Sequence, residues 1–140
     1  MNFLLPIFLL ITPMNIQQTI PNDRDAELGL IGACLDGKLD DVRAAGVGEE
    51  HFFDLRCAAM WRMMSQLDAE RTAVTSATMM HKAKQSSSVE VSDVVDAESA
   101  CPSPANWPYW ARIADDKWKA RRVLEGGQKL SEEAQHSDSP

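Results

Sequence analysis

Leu28, Ile31 and Leu35 recur at i, i+3 and i+7, the spacing of one face of a helix. The segment opens on helix-start signals. Pro21 precedes Asn22 and Asp23, either of which can accept a bond from a free backbone N–H at a helix start. Asp25 and Glu27 then place negative charge against the positive end of the helix dipole. Gly29, Gly32 and Ala33 are small enough to let a second helix approach closely. Asp36-Gly37 ends this element, and a short helix from Lys38 to Ala45 follows, stopped by Gly46.

Val47 to Asp54 (VGEEHFFD) is a connector in which Phe52 and Phe53 are expected to anchor the loop on the core. From Leu55 to Ala69, the positions Ala58, Met60, Trp61, Met64 and Leu67 fit the helical period and predict a central helix with a methionine-lined face. Thr75 or Ser76 can cap a further helix running through Lys84. Gln85 to Ser88 is a polar linker, Val91 to Glu98 one more short helix, and Cys101-Pro-Ser-Pro104 breaks the chain. Asn106 then caps a long final helix with Pro108 in its first turn. Trp110, Ile113, Ala114, Lys117, Arg121 and Leu124 form one stripe along it. Gly126-Gly127 weakens that helix near its end, and QHSDSP beyond Ala134 has the character of a frayed tail. The pattern predicts an all-α domain: a compact bundle of five to six helices, with a long C-terminal helix and no strand.

Composition supports that reading. The 140 residues suit one domain, and 44% hydrophobic with 25% charged residues is the balance of a soluble globular protein. Aromatics are only 6%, which disfavours a β-sandwich. The 14 Lys+Arg against 21 Asp+Glu leave a net charge of −7, a poor match to duplex DNA, where neutralising phosphates supplies the affinity. Acting beside DNA through other proteins stays open. Cys34, Cys57 and Cys101 are widely spaced with no C-x-x-C, so buried free thiols are expected, with neither zinc nor a disulfide. The cytoplasm is the simplest compartment.

Met1 to Pro13 (MNFLLPIFLLITP) is almost wholly apolar. It is too short to span a bilayer and lacks the basic start and small-residue cleavage site of a signal peptide. Met14 opens a segment of ordinary soluble character. The expectation is a misassigned start, with residues 1–13 an apolar extension, 14–134 the helical domain and 135–140 a flexible tail. A short membrane-associating segment is the alternative.

No phosphate-binding loop or nucleophile elbow is present. His51, His81 and His136 are far apart; His51 with Asp54 could be a base and its orienter, or simply a loop histidine that caps the backbone or meets solvent. The pairs Asp40-Asp41, Asp115-Asp116 and Asp93 with Asp96 are best explained as solvated helix faces. Met60, Met63, Met64, Met79 and Met80 suit adaptable core packing. No catalytic, cofactor-binding or metal-binding residue is expected. Arg112, Lys117, Lys119, Arg121 and Arg122, flanked by Trp110 and Trp118, are either a solvated face paired with Asp115, Asp116 and Glu125, or a contact surface for an acidic helix.

The order of these residues resembles the N-terminal domain of bacterial and phage DnaB-type replicative DNA helicases. Asp25-Ala26-Glu27 with Leu30-Ile31-Gly32-Ala33-Cys34-Leu35 is similar to the family's E-A-E-x-x-x-L-G-x-x-L opening. His51-Phe52-Phe53-Asp54-Leu55-Arg56 is similar to its D-F-Y-D-x-R-H segment, and Trp61 falls near the I-F of the following helix. Pro102-Ser103, Asn106 and Tyr109-Trp110-Ala111-Arg112-Ile113 resemble P-S-x-x-N-x-x-x-Y-A-x-I, and Arg121-Arg122-Val123-Leu124 its R-x-L continuation. The likeness covers Ile20 to Ala134.

The resemblance implies a non-catalytic, all-helical collar domain. In that family it packs as dimers into a trimeric ring and receives the primase's C-terminal domain, while ATP hydrolysis belongs to a separate RecA-like domain. The implied partners are therefore other helicase subunits and primase, with DNA engaged only indirectly, and no membrane or cofactor. The family's long helix turns back into a second helix, and the resulting hairpin serves dimerisation and primase contact. Here the chain reaches Pro140 before that turn, Trp110 stands where the family usually has Tyr, and Lys84 to Val91 replaces a Gly-rich turn. The stripe and the hairpin together make Trp110, Ile113, Lys117, Arg121 and Leu124 the expected contact residues. Rival readings are a primase's own helicase-binding domain, which has a related helical fold, and a small membrane-tethered helical protein.

Overall fold

The computed structural model describes residues 20–137. Helix α1 (Arg24–Ala33) starts at Asp23, whose carboxylate accepts the Ala26 N–H at 3.0 Å. Every residue from Ala26 to Ala33 is buried. A helix enclosed on all sides needs neighbours on all sides, and two glycines make room for them. A Cβ on Gly32 would fall on the Ala97 carbonyl oxygen and lie 2.8 Å from Cys101 Cβ. A Cβ on Gly29 would lie 2.8 Å from the Trp110 indole. The two glycines are therefore the crossing points of α1 with the fifth and sixth helices.

After α1 the chain kinks through Cys34–Lys38, with Gly37 at φ 95°, into α2 (Leu39–Ala44), which stops at Gly46 with φ 93°. Both positive angles fall on glycines that the sequence marked as stops, because only glycine adopts them without strain. A connector with a 3₁₀ turn at Glu49–His51 leads to α3 (Leu55–Ala69). Asp54 caps α3, accepting from the N–H groups of Arg56 at 2.9 Å and Cys57 at 3.1 Å. Thr75 caps α4 (Ser76–Ala83) through reciprocal bonds with Thr78. Helix α5 (Val91–Ala100) opens on the Glu90 N–H bonded to Asp93 at 2.9 Å. A 3₁₀ turn at Pro104–Asn106 precedes α6 (Trp107–Ser137), so Asn106 lies in that turn. At 31 residues α6 is about 46 Å long.

The described residues contain six α-helices and no strand. Two expectations change. The sequence pattern makes α3 central, whereas α1 holds that place: glycine and alanine count as neutral in an amphipathic pattern, yet here they are what lets α5 and α6 close over it. The helix also continues through Gly126, Gly127 and Ala134 to Ser137, where a frayed tail was expected from Gln135 onward. Residues 1–13 and Met14 lie outside the described residues, so the expected start and the apolar extension are not addressed by the structure.

The methionines are core, as their spacing predicts: Met60, Met63, Met64 and Met79 are buried with Leu30, Ile31, Val42 and Val94. Phe52 is buried against Trp61, ring centroids 5.1 Å apart, whereas Phe53 remains partly exposed. All three cysteines are buried free thiols; burial pushes Cys34 up to about 12 and raises Cys57 and Cys101 as well. Such thiols are inert nucleophiles. Among the described residues, no helix is long and apolar enough to cross a membrane.

Candidate functional site

Helix α6 divides into two halves with different surroundings. From Trp107 to Arg121 it lies on the body, with Ala111 and Ala114 buried and Trp107 and Trp110 packed against the core. The indole of Trp110 fills the space left by Gly29. Its N–H is buried without an oxygen or nitrogen acceptor, and the Cys101 sulfur is its polar neighbour. From Arg122 to His136 every residue is exposed.

The junction between the halves is a polar clamp. Arg121 is only 8% exposed. Its guanidinium donates to the carbonyl of Pro21 at 2.8 Å and to that of His51 at 3.2 Å, and sits 5.4 Å from the centre of the Phe53 ring. Glu27, 1% exposed on α1, supplies the opposing charge and accepts the Asp54 N–H at 3.0 Å. Burial raises the Glu27 carboxyl above its ordinary value, against the lowering effect of the backbone N–H groups of Asp54 and Phe53 and of Arg121. Burial likewise lowers Arg121.

His51 completes the clamp. Its Nδ1 accepts the Gly48 N–H at 3.1 Å, which leaves the ring proton on Nε2 to be donated to Asp115 Oδ1 at 3.0 Å. The ring lies on Trp118 with centroids 4.6 Å apart. Asp115 also binds Lys119 Nζ at 2.8 Å, and the Lys119 and His51 bonds hold its carboxyl below the ordinary range. The suggested His51–Asp54 pairing is not made: Asp54 caps α3 and pairs with Arg24 at 3.1 Å, and His51 is buried rather than solvent-facing. The clamp's polar groups thus have internal partners, so the arrangement fixes the direction of α6 and presents no free base or nucleophile. Among the described residues, no group of His, Cys, Asp or Glu could hold a metal ion.

Of the residues expected to make contacts, Trp110 packs on the core and Arg121 is buried in the clamp. Ile113 and Lys117 are half-buried, and Leu124 is 39% exposed. Arg112 and Arg122 are exposed, with Arg122 over the Trp118 ring at 5.8 Å. Sequence reasoning missed the opposite face of α6, where Val123 is 76% and Leu130 69% exposed. The signal available was their spacing of seven residues, out of line with the stripe that starts at Trp110. A second missed feature is a groove of about 550 Å³ at the starts of α1 and α3, lined by Asn22, Arg24, Phe53, Asp54, Leu55 and Arg56.

Residues 19–116 match the family model described as the DnaB-like helicase N terminal domain. Among solved structures, the N-terminal domain of DnaB helicase from Mycobacterium tuberculosis is similar, with a TM-score of 0.78. At 19% sequence identity the likeness is one of fold, and it covers 86% of this chain and 90% of that one. No curated protein matches. The family match ends at Asp116, so the clamp residue Arg121 and the exposed half of α6 lie beyond it.

Proposed function

Because this chain belongs to the family of DnaB-like helicase N-terminal domains, we propose that it is a non-catalytic interaction and oligomerisation module of DNA replication. It engages other helicase subunits, as a dimer or within a ring, and the C-terminal domain of primase. It needs no cofactor, contacts DNA only indirectly and works in the cytoplasm, while ATP hydrolysis belongs to a separate domain. The observation that carries this reading is the rigidly rooted α6, held at Arg121 and His51 and then continuing with all its side chains in solvent. Of the five residues named from the sequence, Ile113, Lys117 and Leu124 form the accessible edge of the contact surface. Trp110 and Arg121 hold that edge in place from beneath.

The test is a priming and unwinding assay with the helicase and primase of the same source, to which purified chain is added. The reading expects a change in priming or unwinding rate; no effect at large molar excess overturns it. Lys117→Glu combined with Leu124→Asp should weaken partner affinity at least about tenfold, the scale of a truncated interface anchor. Unchanged affinity would remove that edge from the contact surface.

A further inference from the structure

Helices α3 and α4 and the loop after α4 enclose a pocket of about 390 Å³. Ala59, Arg62, Met63 and Gln66 enter it from α3 at i, i+3, i+4 and i+7, one face of that helix. Lys82, in the last turn of α4, and Gln85, just past it, form the second side. Ser86, Ser87 and Ser88 close the third. In a chain of net charge −7, none of the residues lining this pocket carries a carboxylate. What they present is donors: a guanidinium, an ammonium, two amide groups and three hydroxyls. We propose that the pocket binds the phosphate group of a small phosphorylated molecule, of the size and kind of a nucleoside monophosphate.

Local bonds hold the two cations in place without consuming them. Arg62 pairs with Glu49 at 3.1 Å and Lys82 with Glu70 at 3.2 Å, and both carboxylates stand outside the pocket lining. A guanidinium has five N–H donors and an ammonium three, so each keeps donors for a ligand. Lys84 beside Gln85 is exposed and adds positive charge, while Glu90 beyond the serines accepts from the Ser92 hydroxyl at 3.3 Å. The negative end of α4 is closed off, since the carbonyls of Met80, Lys82 and Ala83 accept the N–H groups of Lys84, Gln85 and Ser86. Ser86 Oγ accepts the Ser88 N–H at 3.1 Å and meets the Ser88 hydroxyl at 3.0 Å, which fixes the shape of the loop. A phosphomonoester brings a charge of about −1.5 to −2 and acceptor oxygens to these donors. Ala59 and Met63 give its body an apolar floor, and the volume lies within the range of about 300–1,000 Å³ of small-molecule sites. The net charge favours a small ligand over a nucleic-acid strand, whose many phosphates the chain as a whole repels.

The test is a titration of the purified full chain followed by proton–nitrogen NMR. The probes are adenosine monophosphate, inorganic phosphate and a short oligothymidylate without terminal phosphates, each compared with sodium chloride at matched ionic strength. Adenosine monophosphate should give saturable shifts at the backbone amides of Ser86, Ser87 and Ser88 and the side-chain amides of Gln66 and Gln85. Inorganic phosphate should move the same groups with weaker affinity. Arg62→Gln combined with Lys82→Gln should weaken binding at least about tenfold, the scale of losing hydrogen bonds to a charged group. Surface ion pairs contribute little to stability, so the double variant should keep its fold, which the same spectra report. Ser87→Glu, on the exposed loop, puts a carboxylate at the pocket and should abolish binding independently. No saturable shift at millimolar adenosine monophosphate, equal shifts with sodium chloride, or binding unchanged in both variants overturns the proposal. Tighter binding of the oligothymidylate at the same amides would assign the pocket to a nucleic-acid backbone and overturn the choice of a small molecule.

Discussion

Helix α1 and the outer half of α6 are opposite solutions to the same problem. Helix α1 is buried from Ala26 to Ala33, and its two glycines sit where other helices cross it. The outer half of α6 is exposed from Arg122 to His136, and its two glycines have no atom within 4 Å of where a Cβ would stand. A glycine in the first setting is required by the space around it; in the second it only weakens the helix. The first helix owes its existence to packing inside the chain, the second has intrinsic propensity alone unless something covers it.

The largest effect is expected at the point where the two regions meet. Arg121→Met strips the bonds from the Pro21 and His51 carbonyls and leaves Glu27 buried without its counter-charge. Each buried acceptor left without its donor costs about 1–3 kcal/mol, and the loss of a nearby positive charge adds to this, so the total is about 3–5 kcal/mol. Urea unfolding should show that loss, and a variant within about 1 kcal/mol of wild type would mean that the clamp is not holding the body together.

Gly32→Leu comes next, because the obstacles are the Ala97 carbonyl and Cys101 Cβ rather than a flexible chain end. Overpacking of this kind costs about 3 kcal/mol, the upper part of its usual range. Gly126→Ala reverses the sign: helix content read by far-UV circular dichroism should rise, with about 0.5–1 kcal/mol gained locally and no change in the unfolding midpoint of the body. Equal losses at the two positions would erase the contrast between the helices.

A smaller effect separates the two charged groups of the clamp by pH. Burial raises the Glu27 pKa in the folded chain above its ordinary value of 4.5. The folded state therefore holds that proton more tightly than the unfolded one, and the contribution of Glu27 is fully present below 4.5 and lost as pH rises through the folded pKa. Glu27→Gln removes this dependence. The urea midpoint of the variant relative to wild type should rise as pH increases above 4.5, then level off. Asp115, whose pKa is lowered by Lys119 and His51, acts in the opposite direction but is present in both proteins and cancels.

The fold was legible wherever information is local. Asp23 and Thr75 are helix caps, Gly37 and Gly46 are stops, and the methionine spacing marks the core, all within a few residues of the features they control. The clamp was not legible. Arg121 looked like one of five surface cations because its acceptors, the carbonyls of Pro21 and His51, are 100 and 70 residues away in the chain. His51 finds Asp115 across 64 residues for the same reason, not Asp54 three residues on. The stripe along α6 mixed the two regions: its members up to Arg121 turn to the body, while Val123 and Leu130 on the far side carry the exposed apolar surface.

Sixteen residues separate Arg121 from Ser137, a rod of about 24 Å fixed at one end. A tilt of about 10° at the root sweeps its tip sideways through about 4 Å, enough to break side-chain contact with anything docked there. The hydrogen bonds of one arginine and one histidine therefore determine geometry far from themselves. Loosening them would convert a calibrated lever into a hinge, and whatever the tip grips would feel the change before the body unfolds.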